Sequence, residues 1–135
     1  MGMVTEVTGN LLQNPEQRTV RVKGEDRRIT ELRVFADYYR RDAETDELVQ
    51  DDDKCVPVEV TIWNEKLGAA AMDHFRKGAR VFVKGDQHIQ RYVDKDEADR
   101  FSVHLDAEVV ALIPYRVEAI QFKAKRPGPV DPATA

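Results

Sequence analysis

Polar and apolar residues alternate along three stretches of the chain, at residues 30–36, 56–62 and 80–84. A period of two is typical of a β-strand with one buried face, so each stretch predicts a strand of a sheet that covers a core. Trp63 and Phe82 have the opposite parity from the apolar residues beside them. We therefore expect both rings on the outer side of the sheet.

Weaker strand patterns precede and follow these stretches. Residues 4–12 predict a first strand, and residues 19–22 either extend it or pair beside it. Residues 87–93 and 100–113 predict the two arms of a long hairpin, joined by a charged turn. Strand parity points Phe101 inward, so we expect it in the core.

The period changes from two to about four between the second and third alternating stretches. Leu67, Ala71 and Phe75 recur every fourth residue, which predicts a short helix with one apolar face and Phe75 in the core. Asn64 is suited to cap its first turn, and Gly78 to adopt the left-handed conformation that ends a helix.

The predicted order is three main strands, one short helix, and two further strands joined by a long hairpin. This is the order of the oligonucleotide-binding (OB) fold, a five-stranded Greek-key barrel that is all-β apart from one helix between strands 3 and 4. We expect this domain at residues 1–114. Residues 115–122 predict an extra strand or an interface segment, and residues 123–135, rich in Pro and Ala, a flexible tail.

The charge of the chain is unevenly distributed. The net charge is -4, but residues 42–54 hold seven acids and one lysine, a net -6, which leaves +2 for the remainder. No apolar run approaches the roughly 18 residues of a membrane span and the start does not resemble a signal peptide, so we expect a cytoplasmic, nucleoid-associated protein. Cys55 is the single cysteine, which excludes an intrachain disulfide.

Several aromatic residues on the predicted outer side have Lys or Arg close by in the sequence. A single-stranded nucleic acid presents base faces and a phosphate chain, so a binder that ignores sequence needs flat rings beside cations. The candidate binding residues are the aromatics Trp63, Tyr92, Phe82, Phe35 and one of Tyr38 and Tyr39, and the cations Arg33, Arg40, Lys84 and Arg91.

Each candidate also has a purely structural interpretation. Trp63 would equally seal one end of the barrel, and Phe82 would equally lie buried between subunits. The run Asp51-Asp52-Asp53 is typical of a hydrated loop, and His74, His88 and His104 lie on separate elements without metal-ligand spacing. No phosphate-binding glycine loop or nucleophile motif is present in the sequence, so we expect no enzymatic activity, no metal and no cofactor.

Short motifs spread over residues 4–113 resemble the bacterial single-stranded-DNA-binding protein family. They are Gly9-Asn10-Leu11 with Asn14-Pro15-Glu16, Trp63 with Lys66-Leu67, Phe75-Arg76-Lys77-Gly78, Val81-Phe82-Val83-Lys84-Gly85, and Arg91-Tyr92 with Asp94 and Asp99-Arg100-Phe101. The resemblance implies an OB-fold, a homotetramer, and single strands bound by stacking aromatics and basic residues.

The chain departs from the family pattern in three places. An aromatic that the family places early in its third strand falls here near Pro57, and one extra residue separates Trp63 from Lys66. The acidic, hydrophobic tip of the family's tail is missing, since the chain ends Pro132-Ala133-Thr134-Ala135. The missing tip puts in doubt the recruitment of repair and replication proteins through the tail.

We therefore expect a protein that coats and protects single-stranded DNA during replication, recombination or repair. The alternative from the residues is an OB-fold adaptor that mainly binds protein in a primosome-like or mobile-element replication complex, which the acidic loop favours. An enzyme such as a nuclease has only the acidic cluster in its support. Preference for DNA over RNA stays open, because stacking platforms accept bases of either polymer.

Overall fold

The computed structural model of the chain describes residues 2–125, and these residues form eight strands and one helix. In chain order the elements are β1 (Met3–Leu11), β2 (Glu16–Val22), β3 (Glu25–Ala36), β4 (Tyr39–Arg41), β5 (Leu48–Gln50), β6 (Val56–Ile62), α1 (Glu65–His74), β7 (Arg80–Val93) and β8 (Asp99–Ile113). No helix among the described residues has the length and apolar character needed to cross a membrane.

Five of the strands close into a ring. β1 pairs with β7 along most of its length and then crosses to β3 at Asn10 and Leu11, while β8 and β6 complete the circuit. The crossing depends on Gly9, because a Cβ at this position would lie 2.0 Å from the carbonyl oxygen of Phe35. The parallel pair of β6 and β8 closes the ring, and the prediction of a five-stranded OB barrel is confirmed.

The inward-facing residues of the ring build the core. They alternate along β3, β6 and β7 as predicted, and the buried apolar side chains that the ring contributes are Leu11, Leu32, Val34, Val58, Val60, Ile62, Val81, Val83 and Leu105. Burial of each such side chain contributes about 1.5 to 3 kcal/mol. Phe75, at the end of α1, packs against this cluster, as expected.

The helix closes one end of the barrel. Asn64 caps it, because its side chain accepts the N–H of Leu67 at 3.0 Å. The prediction that Gly78 ends the helix is wrong: α1 ends at His74, and Phe75 already has extended backbone while it packs against the core. Gly78, with φ +89, belongs to the following turn and donates its N–H to the carbonyl of Leu11.

β7 and β8 form a hairpin that extends beyond the ring. Their pairing continues to Val93 opposite Asp99, far past the last buried residues. The prediction of Phe101 as a core residue is therefore wrong, because 64% of its surface is exposed. It lies on the inward side of the hairpin as parity requires, but no core lies beneath this part of the arm.

The remaining predicted segments have mixed outcomes. Residues 19–22 belong to β2, which pairs with β3 and does not extend β1. β4, which precedes the acidic loop, and β5, which lies within it, form a small separate sheet. Residues 115–122 contain no strand, so only their predicted interface role remains open. Of the predicted tail at residues 123–135, residues 126–135 lie outside the described part of the chain.

Candidate nucleic-acid interface

The outer face of four neighbouring strands carries the candidate rings Phe35, Trp63 and Tyr92. On β3 and β6, Phe35 lies opposite Pro57, and the side chain of Trp63 follows directly after β6. Tyr92 lies further along the same outer side, near the tip of the β7–β8 hairpin and opposite Arg100. The strand order β3-β6-β8-β7 thus places Phe35, Trp63 and Tyr92 on one continuous surface.

Trp63 is held in a fixed orientation at one end of this surface. Its indole Nε1 donates a hydrogen bond to Oδ1 of Asp106 at 3.1 Å, and its carbonyl oxygen accepts one from Arg27 at 3.3 Å. The side chain is half-buried, so one part of the ring packs on the barrel and the rest remains accessible. A ring restrained in this way loses little further entropy when a base stacks on it.

Arg33 provides the cation nearest to Phe35 on β3. Its Nε lies 3.0 Å from a carboxylate oxygen of Glu59, its cross-strand neighbour on β6. The two side chains are 46% and 39% exposed, so the ion pair is weak and screened by solvent. Arg33 therefore remains accessible to a phosphate that competes with Glu59.

Tyr92 and Arg91 point to opposite sides of the hairpin, because successive residues of a strand alternate. Tyr92 is 50% exposed on the outer side. Arg91 lies on the other side, with its guanidinium 5.4 Å from the ring centre of Phe101. The structure therefore separates two candidates that are adjacent in sequence.

Phe82 and Lys84 lie further along the outer side of β7, toward the end where it pairs with β1. Phe82 is half-buried between Thr8 of β1 and Ala111 of β8, and Lys84 lies between Glu6 and Val109. Lys84 forms no ion pair with any side chain in the described part of the chain. Ten residues of strand separate Phe82 from Tyr92, which corresponds to roughly 33 Å at about 3.3 Å per residue.

Tyr39 and Arg40 lie on β4 of the small two-stranded sheet, and Tyr38 directly precedes it. Both tyrosines are about half exposed, and the Lys54 ammonium lies 4.6 Å above the ring of Tyr38. Nε of Arg40 lies 3.8 Å from Asp51. One ring face of Tyr38 is thus already occupied by a cation, whereas no such contact is formed by Tyr39 with the described residues.

The turn at the hairpin tip is organised by one carboxylate. Asp94 accepts the backbone N–H groups of Asp96 and Ala98 and the side chain of Arg100 at 2.7 Å. These contacts, with the Arg100 bond first and the Ala98 N–H next, lower the pKa of Asp94. The tip is therefore a defined turn that holds the two arms in register.

Sequence reasoning missed a cluster between Trp63 and Tyr92. His88 and His104 are direct cross-strand partners whose rings stack with their centres 5.3 Å apart. Pairing Val93 with Asp99 at the predicted turn already places His88 opposite His104, so the register was the signal that could have found them. In the described part of the chain, no three His, Cys, Asp or Glu side chains cluster in a way that would hold a metal ion.

The stacked histidines line a groove of about 460 Å³ on this outer face. Trp63 and Asp106 border it at one end, and Glu31 and Glu59 lie on the side formed by β3 and β6. Arg18 of β2 reaches the groove but is paired with Glu31. The groove is therefore flanked by an aromatic ring, and its ionisable lining consists of three carboxylates, two imidazoles and Arg18, beside apolar residues such as Val20 and Ile29.

Comparison with known proteins identifies this arrangement. The barrel superimposes on the crystal structure of a small single-stranded DNA-binding protein from Streptomyces coelicolor with a TM-score of 0.68, at 17% identity over 83% of this chain and 94% of the other. It superimposes on a Plasmodium falciparum SSB in complex with ssDNA with a TM-score of 0.61, at 14% identity over 82% and 93% of the two chains. The model of the single-strand binding protein family matches residues 4–113, which is most of the chain. The chain therefore belongs to the single-strand binding protein family.

Proposed function

We propose that the outer face defined by Phe35, Trp63 and Tyr92 binds single-stranded DNA without reading its sequence. Single-strand binding is the activity of the family, which has no enzymatic function. The observation that supports this face is that all three rings lie on one side of a continuous four-stranded surface. A strand laid across it would meet one ring after another.

The energy of such binding comes mainly from stacking and from phosphate contacts. Stacking a base on a protein ring is worth about 1 to 3 kcal/mol and is tolerant of sequence, because every base has a flat π-face. Arg33 beside Phe35 supplies a cation on this face, and Lys84 and Arg40 lie where a longer strand would leave it. Arg91 with Phe101 would contact a strand that passes around the hairpin to its other side.

We further propose that the protein acts on transient single strands at the nucleoid, in replication, recombination or repair. Coating the bases protects them from nucleases and removes hairpins by mass action. The acids of residues 42–54, which lie between β4 and β5 and after β5, favour a second role, in which a basic protein partner is recruited in a primosome-like or mobile-element complex. An RNA strand would stack on the same rings, so the preference for DNA is part of the proposal.

Self-association, with a homotetramer as the proposed state, is supported by the outer surface at the β1 end of β7. Phe82, Val109 and Ala111 form an apolar row there, and Val4 of β1 is also exposed. A row of this kind on a soluble barrel is typical of a contact with another copy. In that arrangement Phe82 serves the interface, whereas Trp63 and Tyr92 remain free for DNA.

The test is a titration of oligo-dT into the protein at several salt concentrations, for the wild type and for Trp63→Ala and Tyr92→Ala. We expect the wild type to show quenched Trp63 fluorescence, affinity that falls with salt, and a loss of at least about 1 kcal/mol of binding free energy for each substitution. A competing RNA oligonucleotide of matched length measures the preference for DNA.

The matched control is Tyr115→Ala, which removes an exposed tyrosine outside the proposed face. It should bind with wild-type affinity, and all variants should melt at similar temperatures. Unchanged Trp63 emission at saturation, together with wild-type affinity in Trp63→Ala and Tyr92→Ala, would contradict the proposed face.

A further inference from the structure

The stacked pair of His88 and His104 lies in the middle of the proposed DNA path. The two rings are inclined by 21° with their centres 5.3 Å apart. Nε2 of His104 lies 2.9 Å from Oγ of Ser102, and Nδ1 of His88 lies 4.0 Å from a carboxylate oxygen of Asp106. Asp106 in turn accepts the indole N–H of Trp63, so the pair is linked to the stacking ring through one carboxylate.

The charges around the pair are unfavourable for DNA when both imidazoles are neutral. The groove is lined by three carboxylates, those of Glu31, Glu59 and Asp106, and by the single guanidinium of Arg18, a net charge of -2. Arg18 is paired with Glu31, and Arg33, the cross-strand neighbour of Glu59 on β3, is paired with Glu59. On β7 itself the outward neighbour of His88 is a further acid, Asp86. No unpaired cation among the described groove residues thus offsets these acids.

We propose that His88 and His104 form a phosphate-binding position that becomes effective on protonation, so that single-stranded DNA binding is coupled to proton uptake. This inference rests on the proposed function of the same face. Imidazole is the side chain that ordinarily gains charge between pH 8 and pH 5, and once protonated it donates from both ring nitrogens. Two protonated rings cancel the net charge of the groove and offer N–H groups to a phosphate.

The direction of the effect follows from linkage. A phosphate stabilises the protonated imidazole, so the complex binds protons more tightly than the free protein does. Coupling between two ligands is reciprocal, so protons must strengthen DNA binding by the same factor. Affinity for DNA is therefore highest where the imidazoles are protonated and falls as the pH rises and they lose their protons.

The experiment measures oligo-dT affinity by fluorescence anisotropy between about pH 5.5 and pH 8.5 at constant ionic strength, since this range covers imidazole titration. For the wild type we expect the dissociation constant to increase by roughly fivefold or more from acid to alkaline pH. Roughly fivefold is the lower end of the coupling factors that are usual between two ligands. The double variant His88→Gln with His104→Gln should lose most of this dependence. His74→Gln, which removes an exposed histidine on α1, should retain it.

A second variant tests the role of charge directly, because it is expected to gain affinity for oligo-dT. His88→Arg places one permanent cation in the groove, so its affinity at alkaline pH should rise above that of the wild type at the same pH, toward the wild-type value in acid. Thermal melting checks that each variant is folded. Proton NMR of the two imidazoles, with and without oligo-dT, should show stronger proton binding in the complex, which a merely structural stacking role would not produce.

The outcomes separate this inference from the function on which it rests. If the wild type binds oligo-dT and the double variant keeps the same pH dependence, the histidine position is wrong while the DNA-binding face stands. If His88→Arg binds no better than the wild type at alkaline pH, the charge argument is wrong. If the wild type binds no single strand at any pH, both proposals fail together.

Discussion

At the scale of single residues, Gly9 is the position on which closure of the barrel depends most directly. An added Cβ would lie 2.0 Å from the carbonyl oxygen and 2.7 Å from the carbonyl carbon of Phe35, so the join between β1 and β3 would have to open. We expect Gly9→Ala to lower the free energy of unfolding by at least about 2 kcal/mol, measured by urea denaturation.

The control for this substitution is Gly2→Ala. Its added Cβ would have no neighbour closer than 3.9 Å, and it should leave stability unchanged. Because Phe35 belongs to the proposed face, Gly9→Ala should also weaken oligo-dT binding by the protein that remains folded. Wild-type stability of Gly9→Ala would show that β1 does not approach β3 in this way.

For the candidate rings on the alternating strands, parity gave the side of the sheet correctly but not the surroundings of each ring. Phe35, Trp63 and Phe82 lie outside the core as predicted, because a strand with period two leaves only two choices. Phe101 has inward parity and is nevertheless exposed, since the extent of the core under a long hairpin depends on tertiary structure. The ion pairs of Arg33 and Arg18 likewise depend on which strands become neighbours.

At the scale of elements, the tip of the β7–β8 hairpin has a measurable electrostatic signature. Arg100 is the main cause that lowers the pKa of Asp94, so Arg100→Gln should raise that pKa toward its ordinary value. The turn gains stability from the ionised carboxylate above the ordinary pKa of Asp, and this gain is lost as the pH falls through the lowered value in the folded protein. The hairpin tip should therefore loosen in acid, earlier in Arg100→Gln than in the wild type.

Carboxyl-detected NMR titration of Asp94 is the measurement. Lys95→Gln is the matched control, because it removes a positive charge from the same turn without removing a hydrogen bond to Asp94. An Asp94 pKa that does not change in Arg100→Gln would contradict the assigned cause.

The order of the elements was predictable, whereas several of their boundaries were not. The change of period at Asn64 identified the helix because capping and apolar spacing are local properties. Its end was missed because Phe75 leaves the helical conformation to pack on a core formed by distant strands. The small sheet of β4 and β5 was also missed, since two strands of three residues leave no clear periodicity.

At the scale of the whole molecule, the acidic net charge is compatible with DNA binding because it is segregated. Most of the excess acid lies in residues 42–54, and the one strand within that segment, β5, pairs with β4 in a sheet separate from the six-stranded one. The acids of the six-stranded sheet that line the groove, in contrast, lie on the proposed DNA path and oppose binding there. Long-range repulsion should therefore slow association at low salt, while local binding depends on the groove.

The proposed self-association is also a property of the whole molecule, and the mass of the protein in solution tests it. Ala111 is exposed on the outer side of β8, directly opposite Phe82 and next to Val109 in the apolar row. In a single barrel Ala111→Glu meets only solvent, so folding should be unaffected. Between two copies the new carboxylate would be buried without a partner, which costs far more than a surface charge does.

We therefore expect light scattering to give a mass of about four times the chain mass of 15.4 kDa for the wild type. For Ala111→Glu we expect a smaller mass, because fewer copies associate. Ala70→Glu, the same change at an exposed alanine of α1, should keep the wild-type mass. Since Trp63 and Tyr92 lie elsewhere on the barrel, the smaller species should still bind oligo-dT, with a shorter occluded length. An unaltered mass in Ala111→Glu would place the contact on another surface and return Phe82 to the candidates for base stacking.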